Sequence, residues 1–182
     1  MIVSQDELKR IKQQAVPLFT PDEIAAALER LAAVVNEKFS DKTPLLLCVM
    51  NGAMVMSGHL LTRLTIDLHV DFVHVSRYRG ATTGADLVWR VEPEQSLRGR
   101  SVILLDDIFD EGKTLAAISA YCRQKGAAEV YTVVLINKQH DRKVEGTRPD
   151  LFGLEVDDRY VFGFGLDYRS YFRNLDGIYA VS

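Results

Sequence analysis

The amino-acid sequence predicts an α/β fold: a doubly wound, mainly parallel sheet with a small hood built from the N- and C-terminal segments. Three observations point there. Short, continuous apolar runs at residues 45–50, 101–105 and 130–136 have the pattern of strands covered on both faces. Helical periodicity appears between them, over residues 53–64 and 114–125. Strands that alternate with helices imply right-handed crossovers and a parallel sheet, whose ligands lie beyond the carboxyl ends of the strands.

In chain order, Thr20-Pro21-Asp22-Glu23 reads as a helix start, with Thr20 as N-cap, Pro21 at the first helical position and Glu23 closing a capping box. Ile24, Leu28, Leu31, Val35 and Phe39 then fall three or four residues apart, on one buried face. The strand at 45–50 is broken by Asn51-Gly52 before the helix at 53–64. Ile66, Leu68, Val70 and Phe72 alternate with Asp67, His69 and Asp71, a strand with one polar face near a sheet edge. Residues 77–86 are polar and carry Gly80 and Gly84, which suggests an excursion between that strand and another at 87–91. The strand at 101–105 ends on Asp106-Asp107, and the helix at 114–125 stops at Gly126. Beyond Lys138 the pattern is irregular. Short strands around 151–156, 159–164 and 178–181 are expected to join the N-terminus in the hood, over a core spanning about residues 40–137.

Composition narrows the function classes. The 182 residues are 47% hydrophobic and 26% charged, which suits one folded domain. Asp and Glu number 25 against 22 Lys and Arg, a net charge of −3, so there is no basic surplus for a nucleic-acid backbone. No apolar run approaches the ~18 residues of a membrane span. Asp6 and Glu7 stand where a signal sequence would be apolar. Cys48 and Cys122 make neither a disulfide framework nor a metal spacing, and His59, His69, His74 and His140 have no metal-site spacing either. A cytoplasmic protein without nucleic-acid or membrane partners is expected.

The most informative stretch is VILLDDIFDEGKTL, residues 102–115: a buried strand with two carboxylates at its end, then a tight turn that opens a helix. Gly112 allows a ligand to approach the backbone, while the amides of a helix N-terminus and the Thr114 hydroxyl grip a phosphate. Asp106 and Asp107, a few residues upstream, suit a sugar whose hydroxyls donate to carboxylates. The spacing fits a ribose 5-phosphate. Gly112-Lys113-Thr114 also looks like the end of a Walker A loop, but its first glycine would fall on Asp107. A GxGxxG begun by Gly163 and Gly165 fails at Tyr168.

This segment resembles the phosphoribosyl-pyrophosphate signature of the type I phosphoribosyltransferases, and the flanks resemble their hypoxanthine-guanine branch. The supporting pieces are VMNG at 49–52, INK at 136–138, DRYV at 158–161 and GLDYRSYFRNL at 165–175. The resemblance covers nearly the whole chain. It implies purine salvage, in which hypoxanthine or guanine attacks the anomeric carbon of phosphoribosyl pyrophosphate, inverts it and releases pyrophosphate. The products are IMP or GMP. It also implies Mg²⁺ as cofactor and a homo-oligomer, dimer or tetramer.

By the same resemblance, Asp106 and Asp107 bind the ribose hydroxyls, and Asp110, Glu111, Gly112, Lys113 and Thr114 form the phosphate loop. Asp110 is the catalytic base that takes a proton from the purine ring. Lys138 lies beside the purine 6-oxo group, Tyr160 stacks on the base and Val161 meets its edge through the backbone. Asn51 and Gly52 offer a backbone amide to pyrophosphate, often across a non-proline cis peptide, although many relatives have Lys where Asn51 stands. Arg173 also serves pyrophosphate, and Asp167, with Asp106 and Asp107, serves the metal. A flexible lid corresponds to Ser76, Arg77 and Tyr78 at the start of the 77–86 excursion, where relatives carry adjacent Ser-Tyr and either Arg77 or Tyr78 takes the tyrosine's place. Two rivals remain: a nucleotide-binding regulator of the same fold, which calls for a basic face this acidic chain lacks, and an enzyme of the same fold acting on xanthine, adenine or a pyrimidine.

Overall fold

Residues 3–77 and 87–181 are described by a computed structural model of the chain. Helix α1 (Gln5–Gln14) starts at Ser4, whose hydroxyl accepts from the Glu7 N–H. Strand β1 (Val16–Phe19) follows. Helix α2 (Pro21–Lys38) has the full capping box, with Thr20 and Glu23 each accepting from the other's backbone N–H. Its buried residues Ile24, Leu28, Leu31 and Val35 are those that the three-and-four spacing marks, and each contributes about 1.5–3 kcal/mol on burial.

The central sheet contains β2 (Leu45–Met50), β3 (His69–Arg77), β4 (Leu87–Val91), β5 (Ser101–Phe109), β6 (Glu129–Gln139) and β7 (Leu151–Asp157), in the spatial order β4-β3-β2-β5-β6-β7. All neighbours are parallel except β4, which runs antiparallel to β3. Helix α3 (Met54–Leu61) carries β2 into β3, and α4 (Lys113–Gln124) carries β5 into β6. Leu46, Ile103, Leu105 and Leu135 pack with α2 and α3 on one face. Leu47, Val102, Leu104 and Val134 pack with Leu115, Ile118 and Cys122 of α4 on the other. The crossovers therefore leave on opposite faces between β2 and β5, and the crevice of a doubly wound sheet opens at that switch point. A second sheet, β1-β9-β8, is antiparallel and joins β1 to β8 (Val161–Phe162) and β9 (Ile178–Ala180). With α1 it forms the expected hood, in which Ile11 packs on Phe162 and Phe172.

Several boundaries differ from expectation, each for a local reason. The strand at 151–156 is β7 and belongs to the central sheet instead of the hood, paired with β6 from Val133↔Leu151 to Gln139↔Asp157. Helix α3 ends three residues early, where the Arg63 N–H turns to Leu60 O and the Thr62 hydroxyl to His59 O. Strand β3 starts at His69, and the side of it expected to be buried is the exposed one: Val70 is 51% and Phe72 41% exposed, while Val73 is buried. Strand β5 does not end on the acidic doublet, because Ile108 and Phe109 stay paired with Ile136 and Asn137. Only Val161 and Phe162 of 159–164 are extended, since Gly163 and Phe164 have positive φ.

Candidate active site

A cleft of about 390 Å³ opens at the carboxyl ends of β2, β5 and β6 and is roofed by the segment after β8. Its floor is three stretches of chain pressed together. The Met50–Asn51 peptide, not Asn51–Gly52, is cis. A Cβ on Gly52 would stand 2.0 Å from Asp107 Oδ2, and one on Gly165 would stand 2.4 Å from Gly52 O. Only glycine at both positions lets the β2 turn, the β5 carboxylate and the roof meet this closely.

Asp106 is 8% exposed, and its Oδ1 accepts the Asp107 N–H at 3.0 Å. Burial pushes the Asp107 carboxyl above the usual carboxylate range, opposed by the bond to Asp106 and by the Arg173 charge, and the nearby Asp167 raises it further. These two carboxyl groups stand side by side near the carboxyl end of β5.

Gly112 stands at the N-cap of α4 with φ +81° and brings no side-chain cap. The helix N-terminus that follows is shaped to receive an anion. A Cβ there would also lie 2.7 Å from the Phe109 ring and 2.9 Å from Thr147 Oγ1. Gly112→Ala is therefore expected to lower stability by about 1–3 kcal/mol and to weaken phosphate binding. Thermal unfolding with and without inorganic phosphate measures both, and a variant as stable and as phosphate-responsive as the parent rejects this account of the turn.

Opposite the turn, Lys138 Nζ donates to Asp110 Oδ2 at 3.1 Å. On the other oxygen, His140 Nε2 meets Oδ1 at 2.6 Å, from an imidazole only 3% exposed. Burial raises the Asp110 carboxyl, but the bonds from His140 and Lys138 together outweigh it and hold the group below its ordinary value. Asp110 is thus ionised and directed at the cleft. Lys138 itself is 9% exposed.

The fourth wall comes from the β7–β9 connection. Tyr160 is 53% exposed, and its hydroxyl donates to Asp167 O at 3.1 Å, so one face of a fixed ring looks onto the cleft. Val161 is buried beside it. Arg173 donates to the Asp167 carboxylate and to Gly165 O. Six residues apart, these two would not pair on a helix face. They pair because the segment is a series of turns, with Phe164, Arg169, Ser170 and Phe172 at positive φ and short bridges at Gly163↔Leu166 and Tyr168↔Tyr171.

Of the residues named from the sequence, Asn51, Gly52, Asp106, Asp107, Asp110, Gly112, Thr114, Lys138, Tyr160, Val161, Asp167 and Arg173 line the cleft, together with Val49, Met50, Val75, Ile108, Phe109, Leu115 and Leu166, which were not singled out as site residues. Glu111 and Lys113 do not line it; they pair with each other at 2.8 Å. Ser76 and Arg77 are β3 residues rather than loop residues, and Ser76 Oγ accepts from Arg90 Nε. Tyr78, with the rest of the excursion to Asp86, lies outside the described residues. Sequence reasoning missed His140, which it weighed only for metal-site spacing. A lone histidine two residues past a strand-end lysine carries no signal until the distance to Asp110 is known. Among the described residues no group of three or more His, Cys, Asp or Glu side chains is arranged to hold a metal ion, so Asp106, Asp107 and Asp167 do not form a protein-only cage. Asp107 and Asp167 both line the cleft, and carboxylates are the donors that suit a hard cation taking its other oxygens from water and substrate.

Comparison with known proteins agrees with this fold. Residues 19–169 match the family described as phosphoribosyl transferase domain. The chain is 31% identical over 159 residues to the hypoxanthine-guanine phosphoribosyltransferase of Bacillus subtilis, covering 87% of this chain and 88% of that one. It is 29% identical over 170 residues to the hypoxanthine-guanine-xanthine phosphoribosyltransferase of Tritrichomonas foetus, covering 93% and 90%. Among solved structures, a hypoxanthine phosphoribosyltransferase of Staphylococcus aureus superimposes with a TM-score of 0.88 at 24% identity, over 98% of this chain and 97% of that one.

Proposed function

Because the chain belongs to the phosphoribosyl transferase family, we propose that this cleft joins hypoxanthine or guanine to the ribosyl carbon of phosphoribosyl pyrophosphate, giving IMP or GMP and pyrophosphate in purine salvage. The observation that carries the reading is one cleft that holds an anion-receiving helix N-terminus, two strand-end carboxylates and a Lys138–Asp110 pair 3.1 Å apart.

The chemistry follows from the residues. The α4 N-terminus at Gly112 to Thr114 takes the 5-phosphate, and Asp106 and Asp107 accept from the ribose hydroxyls. The purine lies against the Tyr160 ring, a contact contributing about 1–3 kcal/mol. Lys138 turns from Asp110 to the 6-oxo group. Asp110 accepts a proton from the purine ring as another ring nitrogen attacks the anomeric carbon, and the bond to pyrophosphate breaks with inversion. The positive charge that develops on the sugar faces two carboxylates, a fixed field that favours the transition state. Arg173 and the Asn51-Gly52 backbone receive the leaving pyrophosphate. Mg²⁺, with Asp107 and Asp167 as the chain's donors, would offset charge on the pyrophosphate oxygens.

Parallel assays of phosphoribosyl pyrophosphate and Mg²⁺ with hypoxanthine, guanine, xanthine, adenine and uracil test the reading. IMP and GMP are expected. Adenine sets an amino donor against the Lys138 donor, an unmet contact costing about 1–3 kcal/mol, so it is expected to be about 5- to 150-fold poorer. Absence of IMP and GMP rejects the assignment.

We also read the protein as a cytoplasmic homo-oligomer, a dimer or tetramer. Among the described residues no helix is long and apolar enough to cross a membrane. Met54, Val70 and Phe72, 41–51% exposed on α3 and β3, support a contact with a second copy. Sedimentation velocity at micromolar concentration decides it, and a monomer there contradicts the reading.

A further inference from the structure

Asp110 has two acceptor oxygens and, in this structure, two donors. The bond from Lys138 to Oδ2 is temporary if the purine reading is right, because the same ammonium must turn to the 6-oxo group when a base binds. The bond from His140 to Oδ1 at 2.6 Å has no such second duty. The backbone N–H of Arg142 donates to His140 Nδ1 at 3.1 Å, so Nδ1 is an acceptor and the ring proton sits on Nε2, facing the carboxylate. The turn that carries this N–H is held by Arg142, whose guanidinium pairs with Asp158 through two bonds of 2.6 and 2.8 Å. With its side chain 3% exposed, the imidazole has little room to rotate away.

We propose that His140 is a positioning residue for Asp110: an imidazole whose Nδ1 is taken by the Arg142 backbone N–H and whose Nε2–H occupies Oδ1, leaving Oδ2 for the purine. The inference rests on Asp110 acting as the base. Its physical content is that Lys138 is free to leave without the carboxylate rotating or taking up a proton from solvent. Without His140, once Lys138 has moved to the base, burial is the dominant influence on Asp110, and burial favours the protonated form, which cannot accept a proton. The charged and titratable groups facing the carboxylate are Lys138 from β6 and the His140 imidazole just beyond it, with the Arg142–Asp158 pair behind them and the Glu111–Lys113 pair beside it in the chain.

The test compares His140→Ala and His140→Gln with the parent enzyme across pH 5 to 9, measuring kcat and both KM values. Gln carries an amide donor close to where Nε2 lies. His140→Ala is expected to lose about 10-fold in kcat at neutral pH. Loss of a donor to the ionised carboxylate favours its protonated form, so the acid limb moves to higher pH and the loss deepens as pH falls. The KM for phosphoribosyl pyrophosphate stays within about 2-fold, because the interaction removed lies on the purine side. His140→Gln restores most of kcat and the parental limb, which a general loss of packing would not allow. ¹⁵N NMR of the parent should show the His140 ring proton on Nε2 and Nδ1 bare. A parental pH profile in His140→Ala, no rescue by Gln, or an Nδ1-protonated ring each overturns the inference. Asp110→Asn in the same assay separates the two levels. If it keeps turnover, the base reading has failed; if it loses turnover while His140→Ala behaves as the parent, only the role of His140 has failed.

Discussion

Asp110→Asn lowers turnover by about 10²- to 10⁴-fold while affinity for phosphoribosyl pyrophosphate is largely kept. The amide has nearly the shape of the carboxylate but cannot take a proton from the purine. The His140 contact survives, because the amide oxygen still accepts from Nε2–H at the position where Oδ1 stands. The Lys138 contact does not, because an amide NH₂ and an ammonium are both donors. In the proposed binding mode the sugar and phosphate contacts rest on other residues, Asp106, Asp107 and the α4 N-terminus. Steady-state kcat, with the dissociation constant for phosphoribosyl pyrophosphate measured separately, is the check. Unchanged turnover removes Asp110 from the mechanism.

Gly52→Ala is expected to cost about 10²-fold in kcat/KM, the scale of a misplacement near 1 Å in a reacting site. Its backbone φ is not positive, so the obstacle is space alone: the new Cβ meets Asp107 Oδ2 at 2.0 Å and Cγ at 2.4 Å. Asp107 cannot yield easily, being desolvated and set between Asp106, Arg173 and Asp167. Gly58→Ala is the control. Nothing lies within 4 Å of its would-be Cβ, in an exposed part of α3, so activity should be unchanged and stability equal or up to about 1 kcal/mol higher. If Gly52→Ala stays within about 3-fold of the parent, the pressed floor is not a functional constraint.

The parts of this protein that were legible in its sequence are those governed by short-range rules. The Thr20–Glu23 capping box, the buried stripe of α2, the apolar runs of β2, β5 and β6 and the Gly126 stop all depend on residues within a few positions of one another. The phosphate turn was legible for the same reason, since its strand, glycine and helix start are contiguous. What was hidden depends on distant partners. Val70 and Phe72 alternate like a buried strand face, but β3 carries them past the cover of α3. Residues 151–156 read as a hood strand because nothing local says that β6 is the neighbour. The Asp167–Arg173 pair depends on left-handed residues at 169, 170 and 172 that no propensity assigns to Arg, Ser or Phe. His140 becomes meaningful only through a contact across 30 positions of chain.

A crystal structure with bound IMP or GMP tests the central claim most directly. The account predicts the 5′-phosphate on the amides that follow Gly112, the ribose hydroxyls on Asp106 and Asp107, and the purine between Tyr160 and Lys138 with a ring nitrogen facing Asp110. A nucleotide bound elsewhere, with the Gly112 turn empty, would contradict it.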